Sequence, residues 1–274
     1  MTSSTSRAPD VTRDPGRDAL VARLIETTGE LARAGGDTAE LAAQWRQLRE
    51  EFTRFRLYYQ FGIEEVLTKV NILRQEFENT HSYSPIEHIR SRLKSPESLI
   101  AKVVRYGCEP TIPAVRARVR DIAGIRITCS FDSDVYWIAS MLTKQPDVTL
   151  VQTKDYIANP KPNGYRSLHL IVQVPVFLSD HTEQVFVEIQ IRTIAMDFWA
   201  SVEHKLFYKY RQELPEHLVA ELDDAARIAA ELDQRMARLR DEIRSIGGPA
   251  FPAPPDPPLP ATAEGPGGPD WGDG

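Results

Sequence analysis

The sequence is poor in features that mark whole classes of protein. It has two cysteines among 274 residues, Cys108 and Cys129, too few for a disulfide framework and without the spacing of a metal site. No stretch reaches the roughly 18 uncharged apolar residues that a membrane helix needs. Residues 1–17 also lack the apolar core of a secretory signal. These absences argue against an integral membrane protein and lead us to expect a reduced protein in the cytoplasm.

Glycine loops that bind phosphate are missing as well. The chain contains neither GxxxxGK[ST] nor GxGxxG, so the backbone cradles of the common nucleotide-binding folds are not available. A net charge of −6 argues against nucleic-acid binding over a broad basic surface. However, residues 81–130 hold nine lysines or arginines against four acids. This local excess predicts an anion site in which side chains hold the phosphates.

The spacing of apolar residues predicts an α+β protein in which helices flank a mixed sheet of four or five strands. Its C-terminal end is different, because residues 246–274 contain nine prolines and seven glycines and are predicted to be disordered. The predicted helices cover residues 18–34, 37–60, 63–78, 96–106, 136–143, 194–210 and 215–245. The predicted strands cover residues 122–131, 148–157, 167–178 and 184–193.

The last predicted helix has apolar residues at steps of four and three from Leu218 to Ile243. This spacing is typical of a helix that pairs with another helix between subunits. It describes an amphipathic helix packed on its own domain equally well. The two interpretations have about equal weight on sequence alone.

Three polar residues alternate with apolar ones near the end of the last predicted strand. Period two places Glu188, Gln190 and Arg192 on one face of that strand. An edge strand with a solvated face would show the same pattern, and so would the floor of a site. Further upstream, Asp121 stands at a strand entrance with Arg126 inside the strand, which suits a divalent ion beside a bound anion. A structural ion pair would explain those two residues equally well.

Two basic segments complete the candidate site. The loop of residues 154–169 carries two prolines, a glycine, a ring and several cations, and it suits a nucleobase with its phosphates. Its alternative is a turn with a packed tyrosine and solvated bases. Around the predicted helix start at Pro96, cations and a hydroxyl group surround free N–H groups that favour phosphate, although a solvated basic face would look similar. The residues concerned are Lys161, Tyr165, Arg166 and His169 in the loop, and Arg92, Lys94, Ser98, Lys102 and Arg105 around the helix start.

Taken together and in order, these motifs resemble the synthetase domain of the RelA/SpoT homologues over residues 55–210. With no other recognisable domain attached, the chain looks like a small alarmone synthetase of the RelQ-like group, a GTP pyrophosphokinase. The motifs are Arg92-x-Lys94-x-x-x-Ser98-x-x-x-Lys102, Asp121-Ile-Ala-Gly-Ile-Arg126, Asp155-Tyr-Ile-x-x-Pro-Lys161-x-Asn-Gly-Tyr165-Arg-Ser-Leu-His169, Glu188-Ile-Gln-Ile-Arg-Thr193 and Trp199-Ala-x-x-Glu203-His204-Lys205.

The resemblance implies a nucleotidyltransferase-like fold and transfer of the β,γ-pyrophosphate of ATP to the 3′-hydroxyl of GTP or GDP, with release of AMP. It implies catalytic and Mg²⁺-binding roles for Asp121 and Glu188, and stacking of guanine on Tyr165. For ATP, it implies an adenine sandwich of Arg92 and Arg126, with the phosphates held by Lys94, Ser98 and Lys102 and, more weakly, by Arg105. The remaining acceptor contacts that it implies are Lys161, Arg166, His169 and Gln190.

The resemblance also predicts the organisation and partners of the chain. Members of this group often form tetramers through terminal helices, and none of the six histidines here is followed by the Asp that marks the hydrolase of bifunctional relatives. We therefore expect synthesis without hydrolysis by a homotetramer. Two alternatives are a non-catalytic regulator that binds RNA or an alarmone, and a relative that pyrophosphorylates a tRNA end. The predicted divisions are a disordered start at 1–17, a helical extension at 18–54, the synthetase domain at 55–212, an oligomerisation helix at 213–245 and the tail at 246–274.

Overall fold

The structure is a computed structural model, and it describes residues 38–209 and 215–247. The predicted disordered start, the predicted helix at 18–34 and all but the first two residues of the predicted tail lie outside the described residues. The helices are α1 (Thr38–Thr80), α2 (Pro96–Arg105), α3 (Ile112–Arg118), α4 (Asp132–Thr143), α5 (Ile194–Lys209) and α6 (Glu216–Ser245). The strands are β1 (Ile86–Leu93), β2 (Ala123–Cys129), β3 (Thr149–Asp155), β4 (Leu168–Phe177) and β5 (Thr182–Thr193).

The five strands form one mixed sheet in the order β1-β2-β5-β4-β3. Only β2 and β5 run parallel, and the other neighbours are antiparallel. The prediction of a mixed sheet flanked by helices is therefore confirmed. The described residues divide into two compact units, 38–55 with 95–115 and 56–94 with the remainder. The whole sheet belongs to the second unit.

One face of the sheet forms the core. Val187, Ile189 and Ile191 of β5 are fully buried, as the alternation of the sequence requires. Residues 56–80 of α1 cover this face together with α4, where Phe77 and Trp137 stack edge to face with their ring centroids 4.7 Å apart. The polar residues of β5 consequently lie on the opposite face, where the candidate site is built.

The predicted division into two helices at 37–60 and 63–78, with Gly62 between them, is wrong, because α1 is continuous from Thr38 to Thr80. The glycine has a packing role instead. A Cβ atom at Gly62 would lie 2.7 Å from Cγ1 of Val185 and 3.4 Å from Cγ2 of Val187. Only a residue without a side chain allows the helix to approach β5 this closely.

Two described elements, β1 and α3, were not predicted. β1 is an edge strand with mostly exposed side chains, so it lacks the apolar alternation that identifies a half-buried strand. α3 has seven residues, and Val115 alone among them is buried. No helix in the described ranges is long and apolar enough to cross a membrane.

Candidate active site

The polar face of β5 holds a connected set of side chains. Gln190 Nε2 donates to Glu188 Oε2 at 3.1 Å, and Arg192 Nη2 donates to Gln190 Oε1 at 3.0 Å. Arg192 is only 3% exposed, and its Nε donates to Ser167 Oγ at 3.2 Å. The alternating polar residues therefore form a hydrogen-bonded surface rather than the solvated face of an edge strand, because β5 lies inside the sheet between β2 and β4.

His169 and Tyr165 close this set into a ring. His169 stands opposite Gln190 in the β4–β5 register. Its Nδ1 lies 3.2 Å from Glu188 Oε1, and its Nε2 lies 2.8 Å from the Tyr165 hydroxyl. Arg192 in turn donates to that hydroxyl. A closed chain of hydrogen bonds restrains every member, so the ring holds Glu188 in a fixed orientation.

The environment of Glu188 favours its ionised form. Burial acts to raise the pKa of this carboxyl group, and the negative charge of Asp121 acts in the same direction. The hydrogen bond and charge of His169, with the hydrogen bond from Gln190, outweigh both and leave the pKa of Glu188 below its usual value. Glu188 is therefore a carboxylate at neutral pH, although it is almost enclosed.

Asp121 lines the same cavity as Glu188 and His169, with Lys154 and Tyr156 also at its wall. Lys94 Nζ donates to Asp121 Oδ2 at 2.8 Å, and the Lys94 side chain is only 5% exposed. Two carboxylates in one partly buried cavity fit Mg²⁺, which proteins hold through one or two carboxylates together with substrate phosphates. The described residues contain no group of three or more His, Cys, Asp or Glu side chains arranged for a metal.

Two arginines meet at an aspartate that sequence reasoning missed. Arg126 Nη1 lies 3.2 Å from Asp197 Oδ1, and Arg192 Nη1 lies 3.7 Å from the same atom. Burial lowers the pKa of Arg126, the charges of Arg192 and Arg92 lower it further, and Asp197 acts in the opposite direction. Asp197 lies in the first turn of α5 and belongs to none of the motifs found in the sequence. No sequence signal connected it with an arginine 71 positions away.

The loop of residues 156–167, for which the resemblance implies acceptor binding and which we call the acceptor loop, turns tightly at Lys161–Gly164. Gly164 has a φ of +82° and donates its N–H to the Lys161 carbonyl at 2.8 Å. Lys161 Nζ lies 4.9 Å from the ring centroid of Tyr165 and 5.0 Å from that of Tyr156. The Tyr165 ring is only 3% exposed. A base that stacks on Tyr165 must therefore displace the Lys161 ammonium group or one of the ring's other neighbours.

The structure does not bring Arg166 into this cluster. Its Nη2 donates to the Ile157 carbonyl at 3.1 Å. The side chain lines a small cavity with Trp199 and Ala226, apart from Glu188 and His169. Tyr165, in contrast, bonds His169 through its hydroxyl.

Ser98, Lys102 and Arg105 lie on α2, in the unit of residues 38–55 and 95–115. Ser95 caps this helix, and its Oγ accepts the Ser98 N–H at 3.2 Å. Lys102 is only 3% exposed, with Nζ 5.4 Å from the ring centroid of Tyr106. Arg105 lies over the same ring at 5.5 Å. Three of the four predicted phosphate ligands thus share one capped helix, and Lys94 lies outside it.

Residues 91–213 match the family model described as a region found in RelA / SpoT proteins. The GTP pyrophosphokinase YwaC of Bacillus subtilis is 47% identical over 198 residues, which are 72% of this chain and 94% of that protein. Two crystal structures from Bacillus subtilis are also similar. Small alarmone synthetase 2 has 46% identity and a TM-score of 0.64 over 70% of this chain and 99% of its own. Small alarmone synthetase 1, bound to its product pppGpp, has 37% identity and a TM-score of 0.66 over 71% and 99%.

Proposed function

The chain belongs to the RelA/SpoT family, and from that membership we propose how its site performs the family reaction. The protein is a small alarmone synthetase, a GTP pyrophosphokinase that makes (p)ppGpp from ATP and GTP or GDP. The observation that carries this conclusion is the pair of carboxylates, Asp121 and Glu188, in one cavity with His169. The chain spans 94% of a relative named for pyrophosphokinase activity alone, which supports synthesis without a hydrolase.

Glu188 is the proposed base. The acceptor's 3′-oxygen bonds to the β-phosphorus of ATP, the bond from that phosphorus to the oxygen bridging to the α-phosphorus breaks, and AMP leaves. The hydroxyl proton passes to the Glu188 carboxylate, which is ionised at neutral pH and held by His169 and Gln190. Transfer of this kind depends mainly on positioning and on charge stabilisation. The ring of hydrogen bonds around Glu188 supplies that positioning.

Asp121 and Glu188 would together hold Mg²⁺ in this proposal. When bound, the ion would neutralise charge on the pyrophosphate group during transfer. Lys94, already paired with Asp121, would then lie beside the same phosphates. This arrangement explains why a lysine that is only 5% exposed is tolerated at this position.

The other predicted ligands, with the exception of Arg166, keep their proposed roles. Arg92 and Arg126 would enclose the adenine, and the lowered pKa of Arg126 supports their proximity because Arg92 contributes to it. Tyr165 would take the guanine, with the remaining acceptor contacts around it. Arg166 would act indirectly, by holding the loop through Ile157. The phosphate contacts would be Ser98, Lys102 and Arg105, and the acceptor contacts Lys161, His169 and Gln190.

We also propose that the protein self-associates through α6, as a tetramer, in the cytoplasm where its nucleotide substrates are found. One face of α6 exposes large apolar side chains at helical spacing. Isolated exposed apolar residues are ordinary, but a continuous stripe marks an interaction surface. The stripe consists of Leu232, Met236, Leu239 and Ile243, between 44% and 51% exposed.

The test is incubation of the purified chain with γ-labelled ATP, Mg²⁺ and either GTP or GDP, with separation of the nucleotides by ion exchange. We expect label in pppGpp or ppGpp and release of AMP. Asp121→Asn and Glu188→Gln should each lower the rate by about a hundredfold or more. Asp224→Asn, at an exposed ion pair with Arg227, is the matched control and should keep the wild-type rate.

Other outcomes point to other functions. Transfer of label to tRNA but to neither nucleotide would identify a tRNA-modifying enzyme. Binding of RNA or alarmone without any transfer would identify a regulator. Full activity in Asp121→Asn would show that the metal assignment is wrong.

A further inference from the structure

The helix α6 has a second face, beside the exposed stripe, that contacts the acceptor loop. Ala226 is buried on this face, while its neighbour Ala225 is exposed. Trp199 of α5 donates its indole N–H to the Leu222 carbonyl at 3.0 Å. The helix predicted as an oligomerisation element is therefore also a structural part of the synthetase unit.

The contact with the loop is at Gly164. A Cβ atom placed on Gly164 would lie 2.5 Å from the Ala226 Cβ, which is closer than two non-bonded carbon atoms can approach. Gly164 also has a positive φ that other residues rarely adopt. The backbone of the loop at Gly164 and the methyl group of Ala226 are thus in close contact.

The next residue, Tyr165, is buried in the same cluster. Tyr165, Trp199, Ala200 and Ala226 form one group of buried side chains. The hydroxyl of Tyr165 is the member of the ring that bonds His169. Any shift of α6 against the loop is therefore passed directly to the ring around Glu188.

A second attachment ties α6 to the end of β5. Thr193 Oγ1 donates to Asp233 Oδ2 at 2.7 Å and accepts the Met196 N–H at 3.1 Å. Farther along α6, Arg240 Nη1 donates to Ser133 Oγ at 2.6 Å, and its guanidinium lies 4.6 Å from the Phe131 ring centroid. These contacts fix the helix at several points along its length, so its inner face cannot slide along the loop.

We propose that the inner face of α6 sets the position of Tyr165 and thereby the affinity for the acceptor nucleotide, with Ala226 as a positioning residue. The proposal rests on the proposed function, because it assigns the acceptor to the Tyr165 side of the cavity. The physical reason is the close approach of Gly164 to Ala226, which leaves no room for a larger side chain between them. A larger side chain at position 226 must push the loop away from α6, and Tyr165 moves with Gly164.

The experiment compares Ala226→Leu with Ala225→Leu in the full chain. Both add the same bulk one position apart on the same helix, but only position 226 faces the loop. We expect Ala226→Leu to raise the KM for GTP by at least about tenfold, because a displaced Tyr165 ring loses its stacking contact with the base. The KM for ATP should stay within about twofold of the wild type in the same variant. Ala225→Leu should leave both values unchanged.

A second variant protects the test against misfolding. Trp199→Phe keeps the ring in the cluster but removes the donor to Leu222, and we expect a rise of about fivefold in the KM for GTP. Far-ultraviolet circular dichroism and thermal unfolding would report whether each variant is folded. An unchanged KM for GTP in folded Ala226→Leu would overturn the proposal, and so would an equal rise in the KM for both nucleotides. If the wild type transfers no pyrophosphate, the proposed function fails instead, so the two failures are distinguishable.

Discussion

Asp197 should matter to stability and to ATP binding, because it holds two arginines together. Replacement by Asn keeps the shape of the side chain and removes its charge. Arg192 retains hydrogen bonds to Ser167 and Gln190, so the main loss is the ion pair with Arg126. Hydrogen bonds to charged groups contribute about 1.5–3 kcal/mol. The Arg126 side chain is 34% exposed, and solvent screening reduces the expected loss to about 1–2 kcal/mol.

The assay is urea unfolding, with the free energy of unfolding extrapolated linearly to water. Asp224→Asn provides the comparison, because that carboxylate pairs with Arg227 where the two side chains are 50% and 72% exposed. Solvent screens a pair this exposed, so this control should lose little stability. We also expect Asp197→Asn to raise the KM for ATP, since Arg126 would no longer be held. Equal stability of the two variants, with an unchanged KM for ATP, would refute the reasoning.

Two further predictions concern the core and the pH dependence. Gly62→Ala should lower the free energy of unfolding, because overpacking against Val185 costs about 1–3 kcal/mol, whereas the higher helix propensity of alanine stabilises by only about 1 kcal/mol. The same change in a Val185→Ala background should be neutral or stabilising. His169→Gln should raise the pKa of Glu188, because it removes the hydrogen bond and charge that lower this pKa in the wild type. In the wild type, the ionised carboxylate stabilises the fold above the unfolded pKa of Glu188, and this stabilisation is lost as pH falls through the lower folded pKa. The acidic limb of the pH–rate profile should therefore move to higher pH, and an unmoved limb would exclude Glu188 as the titrating base.

The sequence predicts the polar face of β5 better than it predicts the residues that other elements bring to the site. Alternation with period two places Glu188, Gln190 and Arg192 on one face, and this placement depends on nothing beyond the strand itself. Asp197 becomes part of the site only because α5 follows β5 and turns its first residues toward Arg126. Such a contact depends on the angle between two elements, which residue spacing does not report.

The same distinction explains the errors in the predicted elements. Gly62 lies between two predicted helices that form one helix in the structure. Glycine lowers helix propensity, and the spacing of residues in the sequence does not report the neighbouring strand β5 that requires a glycine here. β1 was missed, because an edge strand with exposed charges has no apolar alternation. Tyr165 is buried and packed against α6, and its hydroxyl also belongs to the ring around Glu188, while its role toward a nucleobase stays a prediction.

The register of β5 links the stability of the core to the geometry of the site. A slip of one residue against β4 would break the alignment of His169 with Gln190 and turn Val187, Ile189 and Ile191 toward the polar face. Each of these side chains is fully buried, and exposing one costs about 1.5–3 kcal/mol. Three together would cost about as much as a typical domain's whole stability. The apolar residues of β5 therefore hold Glu188 in place, and the alternation that builds the sheet also fixes the proposed base against its histidine.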